Sequence, residues 1–164
     1  MTSLIRANFI RFVLLIIIQF ILKGVDSIDI YIYPVFILLL PVGMIDGLVL
    51  LLAFIYGFCI DAFYDTPGLF ASASVAVAAA RPLVLAILEP RGGYEQGKAP
   101  TKYNLGTRWF VQYSSILMLW HTIWIVAIEQ LSLFSWLRVL IWLMIFGLSM
   151  LLIILYQFLF NPKE

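Results

Sequence analysis

The sequence predicts an all-α integral membrane protein: a bundle of about six transmembrane helices in a single domain spanning residues 1–164. Three observations lead there. First, of 164 residues 64% are hydrophobic and 12% charged, whereas soluble domains run at about 45–50% and about 25%. Second, mean hydropathy is +1.07. A chain this short cannot hide that excess in a core, because a domain of about 150 residues still exposes roughly a third of its unfolded surface. Third, the apolar residues lie in runs separated by polar or Pro/Gly breaks, and most approach the ~20 residues a helix needs to cross ~30 Å of hydrocarbon. The 16% aromatic content agrees, since Trp and Tyr collect at membrane interfaces.

The first span is predicted at 9–22, behind Arg6 and Arg11. It begins like a signal sequence, but Lys23-Gly24-Val25-Asp26 lacks a small-x-small cleavage site, so an uncleaved span is expected. The second, at 30–42, is short and contains Pro34. Its apolar part reaches only ~17 Å as a helix, so it must tilt, thin the bilayer or break. The third covers 45–60. The fourth, 68–88, is predicted to open with Thr66 as N-cap and Pro67 at the first helical position. A cytoplasmic loop at 89–108 follows, rich in Gly and Pro, and then spans at 109–128 and 139–160.

Basic residues set the orientation. With both termini cytoplasmic, Arg6, Arg11, Arg91, Lys98, Lys102, Arg108 and Lys163 lie inside, and only Lys23 and Arg138 lie outside. The reverse orientation inverts this bias. The outer face is then mildly acidic through Asp26, Asp29, Asp61, Asp65 and Glu129. The loop's basic residues suit anchorage on anionic headgroups.

Several chemistries are disfavoured. A net charge of +1 lacks the basic stripe that nucleic acid wants. One cysteine, Cys59, and one histidine, His121, leave no disulfide and argue against a zinc site. No catalytic constellation, cofactor motif or small-molecule substrate is expected.

Four features stand out as structural or partner-binding candidates. In the fourth span Gly68, Ser72, Ala76 and Ala80 recur every four residues, with Ala71, Ser74 and Ala78 beside them. Small residues on one face let helix backbones approach in lipid, either inside this bundle or against a partner's helix. Arg81, about 13 residues further in than Gly68, must pair or snorkel. Asp46 lies at matching depth and is the expected partner, with the Ala78 carbonyl freed by Pro82 as the alternative. Asp61 and Asp65 could share a cation or proton; in the plainer reading Asp65 caps the next helix and Asp61 is wetted at the interface. His121, near mid-span, reads as a hydrogen-bonding bridge between helices, with a proton relay as the alternative.

The segment Gly57-Phe58-Cys59-Ile60-Asp61-Ala62-Phe63-Tyr64-Asp65-Thr66-Pro67-Gly68-Leu69 resembles the rod-shape-determining protein MreD family. Members carry G-x-x-x-D, a few residues, then P-G-L or G-L and a small-residue helix. The likeness runs on through Ala71–Ala80, Arg81-Pro82, Pro90-Arg91-Gly92-Gly93-Tyr94-Glu95, Trp109, His121 and Leu155-Tyr156-Gln157-Phe158, in particular toward Bacteroidetes members. It implies a non-enzymatic component of the bacterial inner membrane, within the cell-elongation machinery for peptidoglycan synthesis. The implied partners are a bitopic MreC-type protein, actin-like MreB-type filaments, a RodA-type glycosyltransferase and its transpeptidase. It also implies a helical fold similar to the substrate-binding subunit of energy-coupling-factor transporters. That analogy keeps open a second function, a solute-binding subunit of a vitamin transporter. Gln19, Ser72, Ser74, His121 and Thr122 are sparse polar groups for such a pocket.

Overall fold

The computed structural model describes residues 2–23, 30–129 and 136–160. Among them the secondary structure is entirely helical: α1 (Thr2–Lys23), α2 (Val35–Leu38), α3 (Asp46–Tyr64), α4 (Leu69–Ile87), α5 (Lys102–Leu105), α6 (Thr107–Glu129) and α7 (Trp136–Leu159). By length and composition α3, α4, α7 and Thr107–Ile128 of α6 can each cross a membrane. Five predicted spans thus correspond to long helices. Asp26, Asp29 and Lys163 lie outside the described residues.

The stretch 30–42 departs from the predicted helical span. Only the four residues of α2 are helical, yet Tyr31 through Leu40 are all buried. Its two ends touch opposite ends of the bundle. Ile32 and Tyr33 bond Gln19, one turn from the C-terminus of α1, and Gln19 also meets Tyr64 at the end of α3. At the other end Val42 exchanges backbone hydrogen bonds with Gly97 and Lys98 of the 89–108 loop. A helix of 13 residues reaches ~20 Å, whereas extended backbone covers about 3.3 Å per residue. Partial unwinding lets a short apolar run connect the two ends.

Buried irregular backbone must find hydrogen bonds within the protein, and side chains on the surrounding helices supply them. Gln19 Oε1 accepts from the N–H groups of Ile32 (2.9 Å) and Tyr33 (3.2 Å), and its Nε2 donates to the Ile30 carbonyl (3.0 Å). Ser149 Oγ on α7 accepts from Tyr31 N–H at 2.9 Å. The Tyr113 hydroxyl on α6 donates to the Leu38 carbonyl at 3.0 Å. Arg81 donates to the carbonyls of Leu40 and Pro41. Local turns pair the N–H groups of Val35 through Leu40, beginning with Val35 N–H donating to the Ile32 carbonyl.

Helices α3 and α4 form the closest pair. Gly57 permits it: a Cβ there would lie 2.5 Å from the Phe70 carbonyl oxygen and 2.6 Å from both Ala71 Cα and Ser74 Oγ. Close backbone approach of this kind needs small residues on both sides. The tight turn between them uses positive φ at Asp65 (55°) and Gly68 (88°).

A groove on α4 flanked by aromatic pairs

Asp61 explains how α4 begins. Helix starts leave N–H groups without intrahelical partners, and here the last turn of α3 provides the acceptor. Asp61 Oδ1 takes hydrogen bonds from Phe70 N–H (2.9 Å) and the Thr66 hydroxyl (2.6 Å), and Oδ2 takes one from Ala71 N–H (2.8 Å). The carboxylate is 4% exposed, held by these donors and the positive end of the α4 dipole. This reverses the expected roles. Asp61 is the capping group and is not wetted at the surface, while Asp65 is the exposed C-cap of α3. The helix opens at Leu69 with Gly68 as N-cap, two residues later than a start at Pro67, because an acid reaching over from α3 serves better than the local threonine.

Arg81 also departs from expectation. Its Nε donates to Tyr113 Oη at 3.0 Å, and an Nη atom donates to the Leu40 and Pro41 carbonyls. Asp46 stands exposed in the first turn of α3, so the expected ion pair is replaced by carbonyl and phenol partners. The physical reason is desolvation. A water-exposed carboxylate loses its hydration on entering the bundle, whereas the 38–41 carbonyls are already buried and need donors.

His121 is fully buried on α6, with Nε2 against the hydroxyl of Tyr33 and Nδ1 without a hydrogen-bond partner. It bridges α6 to the 30–42 stretch. Among the polar residues weighed for a solute pocket, Gln19, Ser74, His121 and Thr122 are buried, and only Ser72 lines the large cavity of the surface.

That cavity is a groove of ≈ 1370 Å³ running along α4 between α3 and α6. Gly68, Ser72, Ala76 and Ala80 lie in its floor. Most of the internal packing of α4 falls on other residues: Phe70, Ala73, Val77, Ala78 and Val84 enter the core, with Ser74 against Gly57, while Ala76 is itself buried and Ala80 packs against the core edge. One wall is Phe54 and Phe58 of α3, with ring centroids 6.2 Å apart; the other is Trp120 and Trp124 of α6, 6.1 Å apart. Both indoles are anchored to the floor, Trp120 Nε1 donating to the Ala76 carbonyl (3.2 Å) and Trp124 Nε1 to Ser72 Oγ (3.3 Å). Nothing in the sequence marked these aromatic pairs as walls; their i, i+4 spacing was the available signal.

The chain matches no family model, no curated protein and no solved structure.

At the opposite end of α4 the loop closes on the bundle. Tyr94 Oη donates to the Leu85 carbonyl (2.8 Å) and Trp109 Nε1 to that of Leu88 (2.7 Å). Burial pushes the Tyr94 phenol up to about 12, so it remains a neutral donor across the physiological range. Lys98 pairs with Glu95 at 2.7 Å.

Proposed function

We propose that this protein is a non-enzymatic scaffold of the bacterial inner membrane, with both termini cytoplasmic. Its role would be to hold the cell-elongation complex together by binding an MreC-type bitopic protein and the RodA-type synthase with its transpeptidase, above MreB-type filaments. The observation that carries this reading is the groove on α4. A small-residue floor between two aromatic pairs, with Phe54, Phe58 and Trp120 exposed and Trp124 half-buried, suits association with other apolar helices in lipid. The resemblance of Gly57–Leu69 and the following segments to the MreD family supplies the identity of the partners, and the Lys and Arg distribution supports the orientation.

Depletion in a rod-shaped host tests it. Cells are expected to round as the protein is lost, with vitamin uptake unchanged. Rods that keep their shape while uptake of one vitamin fails would instead make the chain a solute-binding transporter subunit.

A further inference from the structure

We infer that the groove along α4 receives one transmembrane helix of another protein, bearing a Lys or Arg at the end that lies beside Asp65. This deepens the scaffold reading and rests on it. Size comes first. Between Gly68 and Leu83, both lining residues, α4 runs about 22 Å, and a helix ~10 Å across of that length fills roughly 1,700 Å³. A groove of ≈ 1370 Å³ would seat most of such a cylinder. The floor allows close backbone contact, and the Trp120/Trp124 wall is fixed because both indoles are tied to α4.

Charge then selects among apolar occupants. The groove carries acidic residues only at one end, where Asp61 and Asp65 line it with Thr66; further along, the hydroxyl of Ser72 is already bonded to the Leu69 carbonyl and the Trp124 indole. Asp61 already accepts three hydrogen bonds. Asp65 is exposed and its carboxylate bonds none of the described residues. An acid standing at the end of an apolar slot complements a basic residue at the matching end of the inserted helix, and such rim charges fix register and direction. An acyl chain would use the apolar floor but leave Asp65 without a role.

The test uses the full-length protein in membranes of its native host. p-Benzoylphenylalanine replaces Val75 or Leu83 in the groove, or Leu143 on the exposed face of α7 as a control, and the irradiated adducts are sequenced by mass spectrometry. Crosslinks from Val75 and Leu83 should fall in one predicted span of a different protein, ordered so that its Asp65 end carries Lys or Arg within about one turn; Leu143 should not yield that adduct. Asp65→Lys should lower the yield about tenfold or more, as juxtaposed like charges cost at least the ~1.4 kcal/mol that a tenfold change represents. Asp65→Glu should keep it, and reversing the partner's basic residue to Glu should restore it in the Asp65→Lys background. Melting curves of each variant in detergent confirm that the fold is retained; if Asp65→Lys does not fold, Asp65→Ala takes its place and should lower the yield. Adducts confined to lipid, to a second copy of this chain or to a span without a basic end would overturn the inference, as would a yield indifferent to Asp65. If depleted cells round while the groove captures only lipid, the scaffold reading stands and groove docking falls.

Discussion

Arg81 shows how far one residue can be read from its type and position. A lone arginine deep in a small-residue helix requires partners, and that much is legible in the sequence. Their identity is not, because backbone carbonyls freed by a broken segment leave no mark on residue type. In the fold Arg81 is 4% exposed and serves Leu40, Pro41 and Tyr113. Arg81→Leu should therefore cost about 2–4 kcal/mol, the range for losing charged hydrogen bonds and orphaning buried acceptors. Asp46→Leu, at an exposed site, should stay within about 0.5 kcal/mol. Thermal unfolding in detergent should give additive losses for the pair; recovery in the double variant would restore the ion pair. The two aspartates separate in the same assay. Asp61→Ala removes the cap of α4 and should cost about 1–2 kcal/mol, while Asp65→Ala should cost little. Sequence placed both acids near the turn, but which one caps depends on how α3 and α4 meet, a tertiary fact.

Among the elements, the long helices were legible because each combines an apolar run with clear boundaries. The stretch 30–42 was not. Its shortness and Pro34 signalled a departure from a regular helix, but the route depends on donors and acceptors contributed by α1, α4, α6 and α7. Gln19 carries three of those backbone bonds. Gln19→Leu should destabilise by about 3 kcal/mol or more, since each buried polar group left unpaired costs ~1–3 kcal/mol. Gln19→Glu keeps the acceptor and should retain part of that stability. A neutral Gln19→Leu melt would mean that residues 30–33 find their hydrogen bonds elsewhere. The α3–α4 crossing makes a sharper demand. An added methyl at Gly57 meets backbone atoms of α4, so Gly57→Ala should cost ~1–3 kcal/mol by overpacking, and unchanged stability would place the two helices further apart. The small-residue ridge illustrates what periodicity alone leaves open. Spacing picked out Gly68, Ser72, Ala76 and Ala80, but two small faces lie side by side on α4, and the one built on Ala71, Ser74 and Ala78 meets α3 or enters the core.

At the scale of the molecule, α1, α3, α4, α6 and α7 stand around the buried 30–42 stretch and leave the α4 groove open on the outside. A frame of this kind offers a surface to other helices while its own core is occupied by side chains. In the proposed orientation the basic 89–108 loop is cytoplasmic, so a cysteine at Lys98 should be labelled only from that side; labelling from outside would invert the bundle. Composition made the membrane bundle legible. The groove was not, because the pair Phe54 and Phe58 and the pair Trp120 and Trp124 come from two helices and lie more than 60 residues apart in sequence. The most direct measurement of the scaffold role is a pull-down of the tagged protein from gently solubilised native membranes, with the bound proteins identified by mass spectrometry. Stoichiometric recovery of an MreC-type single-span protein together with a RodA-type glycosyltransferase is the expected result. Recovery of transporter ATPases in their place would contradict it.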